Sequence, residues 1–156
     1  MVSKDIVWTG GKLLITGSAG FIGSNLALRL METTAPLTVV GLDSMNDYYD
    51  VSLKEYRLGL IEEAARNNPN MTWRFVRGSI ADKALVDSLF EEYHFDIVVN
   101  LAAQAGVRHS IDHPDVYMES NIIGFYNVLE ACRRYPVEHL VYASSSSVYG
   151  NNKKIP

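Results

Sequence analysis

The composition of this chain is that of an ordinary globular protein with room for one hydrophobic core. It has 156 residues, of which 47% are hydrophobic and 21% charged, with a net charge of −4. A weakly acidic chain without a basic run has no electrostatic footprint for nucleic acid, so we expect no nucleic-acid partner. No apolar stretch is long enough to span a membrane, and the single Cys132 excludes an internal disulfide. These features predict a cytoplasmic protein with no membrane partner.

Residues 1–11 are predicted to be a short leader, and residues 12–156 to form one domain of alternating strands and helices. Strands are predicted from short runs of leucine and β-branched residues, and helices from apolar residues at helical spacing. In chain order these are strand 12–16, helix 20–33, strand 37–42, helix 52–66, strand 72–76, helix 83–93, strand 96–101, helix 114–134 and strand 139–143. The alternation predicts an α/β fold with a doubly wound parallel sheet, truncated after about five strands.

The first predicted strand ends in a glycine turn typical of a dinucleotide site. Gly17 permits a tight turn, Gly20 lets the backbone approach a pyrophosphate, and Gly23 lets the helix pack close to the strand. Asp43 closes the second strand and would accept hydrogen bonds from a ribose diol while repelling a 2′-phosphate. The alternative is a glycine-rich turn with an unrelated acid. The strand context and the acid together favour a Rossmann-type domain that binds NAD rather than NADP.

Four polar loops follow predicted strands, and none of them has helical or strand periodicity. They cover residues 43–50, 78–80, 102–110 and 144–150. Ligands of a doubly wound sheet bind beyond the carboxyl ends of its parallel strands, where such loops meet. We therefore expect all four loops to border one crevice.

The Gly-x-x-Gly-x-x-Gly spacing is typical of short-chain dehydrogenase/reductases. With Asn-Leu-Ala-Ala-Gln at 100–104 and Ser-Ser-Ser-Ser-Val-Tyr-Gly at 144–150, the chain resembles the extended branch of that family from about residue 12 to 156. That branch contains the NAD-dependent sugar-nucleotide epimerases and dehydratases, and residues 46–60 and 102–132 are most similar to UDP-glucuronate 4-epimerases. The resemblance implies NAD as cofactor, a nucleotide-sugar substrate and a homo-oligomer, such as a dimer.

The resemblance also implies which residues form the site. The cofactor would contact Gly17, Gly20, Phe21, Ile22, Gly23, Asp43, Ser44, Asn46, Ser79, Ile80, Leu101, Ala102, Ala103, Gln104 and Asn121. The substrate would contact Gly106, Val107, Arg108, Ser145 and Ser146. No metal site is expected, because the histidines show no metal-ligand spacing with one another or with the cysteine.

Three of these assignments have open alternatives or depart from the family pattern. Ser79 stands where the family has an aspartate near the adenine, so that contact should be weaker, although the Ile80 N–H could remain. Asn121 could instead be a helix residue that bonds only to backbone. Arg108 could instead be a solvated surface arginine.

The serine run carries the predicted catalytic chemistry. Ser145, four residues before Tyr149, matches the family hydroxyl that hydrogen-bonds the sugar C4 hydroxyl. The alternative is a hydroxyl-rich turn that bonds to its own backbone. Ser146 and Ser147 stand where related dehydratases have an acidic pair and related decarboxylases have a glutamate at the second position. Serines cannot transfer protons near neutral pH, which favours 4-epimerisation.

By the same resemblance, a tyrosinate of the complete family enzyme removes the C4 hydroxyl proton as hydride passes to NAD. We expect that Tyr-x-x-x-Lys pair to lie beyond the serine loop and to be absent here, so the isolated chain should be inactive. The alternatives are a non-catalytic NAD-binding module, or a dehydratase or decarboxylase of the same family.

Overall fold

A computed structural model describes residues 9–151 and shows five parallel strands in one sheet. The strands are β1 (Gly11–Thr16), β2 (Leu37–Asp43), β3 (Met71–Arg77), β4 (Ile97–Asn100) and β5 (His139–Tyr142). Their spatial order is β3-β2-β1-β4-β5, and every neighbouring pair is parallel. This confirms the predicted doubly wound sheet, whose strand order reverses between β1 and β4. Most of the predicted leader (1–8) and the last five residues (152–156) lie outside the described part.

Helices connect the strands in the predicted alternation. They are α1 (Phe21–Met31), α2 (Val51–Arg66), α3 (Lys83–Tyr93), α4 (Val107–Asp112), α5 (Pro114–Tyr117), a π-helical segment (Met118–Gly124) and α6 (Phe125–Arg134), and a 3₁₀ turn (Ser146–Tyr149) follows β5. Helix α3 begins directly after Asp82, whose carboxylate caps it by accepting the Leu85 N–H at 3.0 Å.

One prediction about the region after β4 is wrong. The predicted loop 102–110 contains the start of α4, none of whose residues is buried, so its apolar residues Val107 and Ile111 do not belong to the core. The predicted helix 114–134 is confirmed in its bounds, but its middle part is a π-helical turn rather than α-helix. In that turn Gly124 lies against the loop after β3, and a Cβ there would come within 2.5 Å of the Ile80 side chain.

The core occupies both faces of the sheet. Along β1, Leu13 and Ile15 pack on the face covered by α1 and α2, whereas Leu14 packs on the face covered by α3 and α6. Helices on both faces bury most residues of β1, β2 and β4, which explains the apolar runs of these strands. β5 differs, because Val141 and Tyr142 are exposed. Within residues 9–151, none of the helices is long and apolar enough to cross a membrane.

Candidate functional site

A cavity of about 210 Å³ lies at the carboxyl ends of the central strands. Three of the four predicted loops border it. Of the predicted site residues, those that line it are Gly17, Gly20, Asp43, Ser44, Asn46, Ser79, Ile80, Leu101, Ala102, Ala103 and Gln104. Its other lining residues, which the sequence did not single out, are Leu42, Tyr48, Tyr49, Lys54, Gly78, Ala105 and Ser120.

The glycine turn leaves no space for side chains. Gly17 has φ 69°, a left-handed conformation that favours glycine, and its N–H donates to the Leu42 carbonyl at 2.8 Å. A Cβ on Gly23 would come within 2.2 Å of the Gly17 carbonyl oxygen. The chain therefore passes close under the cavity and enters α1 at Phe21, with Gly20 as N-cap. The positive end of the helix dipole favours an anion there.

Phe21 and Ile22 form the first turn of α1, and their side chains are exposed. Both are apolar residues in the first turn of the predicted helix 20–33, but neither belongs to the core. Any contact with a pyrophosphate would be made by their backbone.

Asp43 is buried at the end of β2 with its carboxylate already hydrogen-bonded. Its Oδ2 accepts the Ala19 N–H at 3.1 Å, and its Oδ1 accepts the Met45 N–H at 2.9 Å. An ionised carboxylate has about four lone-pair sites, so it can still accept from a ligand hydroxyl. The carboxylate is thereby fixed in orientation while it faces the cavity.

Lys54 is a buried residue of the site that sequence reasoning missed. Its Nζ donates to the Asn46 carbonyl oxygen at 3.0 Å and to Asn46 Oδ1 at 2.8 Å. The buried positions of α2 are Lys54, Leu58 and Ile61, so this lysine shares the i, i+4, i+7 spacing of the core-facing stripe. That spacing was the available signal.

The loop after β3 is held from the helix side. Ser79 Oγ accepts the Ala81 N–H at 3.1 Å. The buried amide of Asn127 donates to the Ile80 and Ala81 carbonyls, each at 3.0 Å. Asn127 therefore fixes the segment to which the resemblance assigns adenine contacts.

The loop after β4 is attached to β1 through a buried hydroxyl. Thr16 Oγ1 donates to Asn100 Oδ1 at 2.7 Å and accepts the N–H groups of Leu101 and Ala102 at 3.2 and 3.1 Å. Buried hydroxyls that satisfy several partners at once hold a loop in one conformation. Leu101 and Ala102 consequently follow the strand closely along the cavity wall.

Gln104 connects this loop to both neighbouring segments. Its backbone pairs with the Asn121 amide, which accepts the Gln104 N–H at 2.8 Å and donates to its carbonyl at 2.9 Å. Its side chain accepts from Asn46 Nδ2 at 3.3 Å, across the crevice. Asn121 thus makes the backbone contact that was the alternative to a cofactor role, and its contact with a cofactor remains a prediction.

Tyr117 supports the following residues. Its hydroxyl donates toward the Ala105 and Gly106 carbonyls, at 2.7 and 2.5 Å. Removal from water, and next the nearby Tyr48, raise the pKa of Tyr117 above its usual value. This phenol therefore stays protonated and able to donate.

The predicted substrate residues do not line the cavity. Val107 and Arg108 begin α4 as exposed residues after Gly106. Ser145 is also exposed, and its Oγ accepts the Ser147 N–H at 3.1 Å. That bond is the backbone-satisfying alternative for Ser145, so its role toward a sugar remains a prediction. The side chain of Ser146 lies outside the described part.

The expected absence of a Tyr-x-x-x-Lys spacing is wrong as a statement about the sequence. Tyr149 is followed four residues later by Lys153. However, Gly150 ends the helical turn directly after Tyr149, with φ 56°. Tyr149 is therefore the last residue of its 3₁₀ turn. Lys153 itself lies outside the described residues.

Cys132 and the described acidic and histidine side chains are the remaining candidates for a thiolate and for metal ligands, respectively. Burial raises the pKa of Cys132 to about 11, which keeps it a thiol. Within residues 9–151 no group of three or more histidine, cysteine, aspartate or glutamate side chains is arranged to hold a metal ion.

Comparison with known protein families shows to which family the chain belongs. Residues 13–156 match the NAD dependent epimerase/dehydratase family. The chain belongs to this family. Its cofactor is therefore NAD. The glycine cradle (the turn with Gly17, Gly20 and Gly23), the N-terminus of α1 and the fixed Asp43 carboxylate fit a dinucleotide.

The relatives align with nearly the whole chain, whereas the chain spans less than half the length of each relative. It is 49% identical to the protein CapI of Staphylococcus aureus over 93% of its length and 41% of that protein. It is 45% identical to UDP-glucuronate 4-epimerase 3 of Arabidopsis thaliana over 94% of its length and 32% of that protein. A UDP-glucose-4-epimerase from Stenotrophomonas maltophila, crystallised with NAD and formylated UDP-arabinopyranose, superposes with TM-score 0.73 at 32% identity, over 94% of this chain and 40% of that one.

Proposed function

We propose that this chain is the NAD-binding portion of a sugar-nucleotide 4-epimerase whose substrate is UDP-glucuronate. The observation that carries the proposal is the cavity in which the glycine cradle, Asp43 and Gln104 meet. The similarity to UDP-glucuronate 4-epimerase 3 supports the choice of substrate. We also propose a cytoplasmic location, which fits a chain with one cysteine.

The residues of this chain would hold the cofactor and orient the sugar. When bound, NAD supplies the hydride acceptor and donor. The N–H groups of Phe21, Ile22 and Gly23 would face the pyrophosphate, and Asp43 would accept from the adenine-side ribose. Ser44 and Ile80 would border the adenosine, and Asn121 the nicotinamide side. Oriented binding of this kind contributes to rate by placement.

On the substrate side, Ser145 would exchange its bond to Ser147 for one to the C4 hydroxyl. Gly106, Val107 and Arg108 would border the sugar nucleotide, with Arg108 facing its negative charge. A serine pair at 146 and 147 supplies no acid for chemistry beyond C4 oxidation and hydride return. That pair favours an epimerase over a dehydratase or decarboxylase.

Calorimetry with the 156-residue chain tests cofactor binding. We expect NAD to bind and NADP to bind more weakly, because Asp43 opposes a 2′-phosphate. Gly20→Val should abolish binding, since the backbone would then be kept away from the pyrophosphate. Gly59→Ala is the matched control, because a Cβ at Gly59 meets nothing within 4 Å. Equal affinities for both cofactors would contradict the role of Asp43.

We further propose that the 156-residue chain alone does not turn over UDP-glucuronate. A positioned general base typically raises the reaction rate about 10²- to 10⁴-fold. Tyr149, the tyrosine with a lysine four residues later, is exposed and does not line the cavity, so it is not positioned as that base. Incubation with UDP-glucuronate and NAD, followed by NMR of the sugar, should show no product. Clear formation of the C4 epimer would refute this part of the proposal and leave the NAD site intact.

We propose that the chain self-associates. Beside β5, the π-helical segment and α6 expose Ile122, Ile123, Tyr126 and Leu129, and burial of large apolar side chains typically contributes about 1.5–3 kcal/mol each. Light scattering at micromolar concentration should give more than the monomer mass, and Ile123→Lys should lower it. A monodisperse monomer with a cooperative melt would contradict self-association.

A further inference from the structure

The ion pair between Asp43 and Lys54 is the most buried one in the described chain. Their side chains are 7% and 5% exposed, and Asp43 Oδ1 lies 3.7 Å from Lys54 Nζ. Both residues line the cavity. The remaining surroundings of the ammonium are neutral: two Asn46 oxygens, and the Tyr49 ring, whose centroid is 4.9 Å away. The negative charge of Asp43 is thus opposed by a positive charge within the same cavity wall.

This arrangement changes what Asp43 can do to a cofactor. An isolated carboxylate at the end of β2 would repel the 2′-phosphate of NADP through its full charge. A phosphate that approaches Asp43 in this cavity also approaches Lys54, and an ammonium attracts phosphate. The pair therefore exerts two opposing forces on the 2′ position of the adenosine ribose.

We propose that Lys54 is a cofactor-specificity residue whose ammonium offsets the repulsion between Asp43 and a 2′-phosphate. The preference for NAD then depends on the balance of two buried charges, and NADP keeps a measurable affinity. The inference rests on the proposed NAD-binding function and adds to it. Its direct consequence is that Asp43→Asn alone should convert the site into one that accepts NADP, because Lys54 is then unopposed.

The test is the ratio of the NADP dissociation constant to the NAD dissociation constant, measured by calorimetry. Lys54→Met keeps the apolar stem and removes the charge, and we expect it to raise the ratio about tenfold or more. The same substitution in an Asp43→Asn background should also raise the ratio. In that background NADP binds more tightly, so its dissociation constant is easily measured. Lys54→Arg keeps the charge and should leave the ratio near that of the wild type.

Matched controls separate charge from loop support. Asn46→Ala removes the partner of Lys54 in the loop and should weaken both cofactors while the ratio stays within about twofold. Arg57→Met removes a cation that bonds to the Ala19 carbonyl and the Tyr49 hydroxyl and does not line the cavity, and it should also leave the ratio nearly unchanged. A purely structural role of Lys54 would reproduce the Asn46→Ala result.

A measurement without variants covers the case in which Lys54→Met does not fold. Adenosine 2′,5′-bisphosphate and 5′-AMP are compared as competitors of NAD on the wild-type chain at low and high salt. If Lys54 offsets most of the repulsion from Asp43, salt should change their relative affinity only a little, whereas unopposed repulsion predicts that salt strongly favours the bisphosphate. A ratio insensitive to Lys54→Met, or strong recovery of the bisphosphate with salt, overturns the inference. A wild-type chain that does not bind NAD overturns the proposed function, and the inference with it.

Discussion

The loops after β1, β2 and β4 lie at the same edge of one sheet as the loop after β5, yet they are held very differently. The first group is connected to other segments of the chain by hydrogen bonds of side chains such as Thr16, Asp43 and Asn121. The serine loop after β5 is exposed, and its side-chain bond from Ser145 reaches only Ser147. Hydrogen bonds between distant segments fix relative positions, whereas bonds within one turn fix only that turn. Within this chain, the part of the crevice proposed to hold the cofactor (the cofactor half) is therefore preorganised more completely than the serine loop proposed to face the sugar.

The largest test of this contrast is at the glycine cradle. Gly23→Ala would place a Cβ within 2.2 Å of a backbone carbonyl oxygen, which forces α1 away from β1. Overpacking typically costs about 1–3 kcal/mol or more, and we expect NAD binding to be lost together with this stability. Urea unfolding and calorimetry measure both effects. Gly59→Ala lies at an open helix position and should be neutral or stabilising. An equal loss of stability and of NAD affinity in both variants would contradict the role of close packing at Gly23.

A leucine pair compares the centre and the edge of the sheet directly. Leu14 and Leu140 are in register through Val98, which pairs with both. Leu14 is fully buried, and Leu140 is half-buried. We expect Leu14→Ala to lower the free energy of unfolding by about 2–5 kcal/mol and Leu140→Ala by clearly less. Similar values from chemical denaturation would show that β5 is as well packed as β1.

A hydroxyl pair gives the finest comparison. Thr16→Val removes the hydroxyl partner of Asn100 Oδ1 and of the Ala102 N–H, whereas the Leu101 N–H keeps its bond to the Thr16 carbonyl. The loss should cost about 1–3 kcal/mol and weaken NAD binding. Ser145→Ala removes an exposed hydroxyl, and we expect a stability change within about 0.5 kcal/mol and an unchanged NAD affinity. Thermal melts and calorimetry of both variants decide the matter. A large effect of Ser145→Ala would show that the serine loop supports the cofactor half.

Much of the fold and part of the site could be predicted because their signals are local in sequence. Strand and helix positions follow from apolar spacing, and Asp82, an N-cap residue type directly before the predicted helix 83–93, caps α3. Asp43 was identifiable from its position after a predicted strand. Lys54 was missed because a lysine among the apolar positions of α2 is ordinarily assigned to the surface, and only the contacts of its ammonium explain its burial. The start of α4 was missed because none of its residues is buried in the core. The π-helical turn was predicted as ordinary helix because apolar spacing does not distinguish π from α hydrogen bonding.

The sequence by itself determined the strand order along the chain, the glycine turn and the family resemblance, since each depends on residues close together in the chain. Only the tertiary structure decided which polar groups meet across the crevice. Asn46 and Gln104 are 58 positions apart and share a hydrogen bond, and Thr16 contacts Asn100 across 84 positions. The physical reason is that burial makes an unpaired polar group costly, so the fold, rather than local sequence, selects its partner. The pairing of Asp43 with Lys54 belongs to this second class.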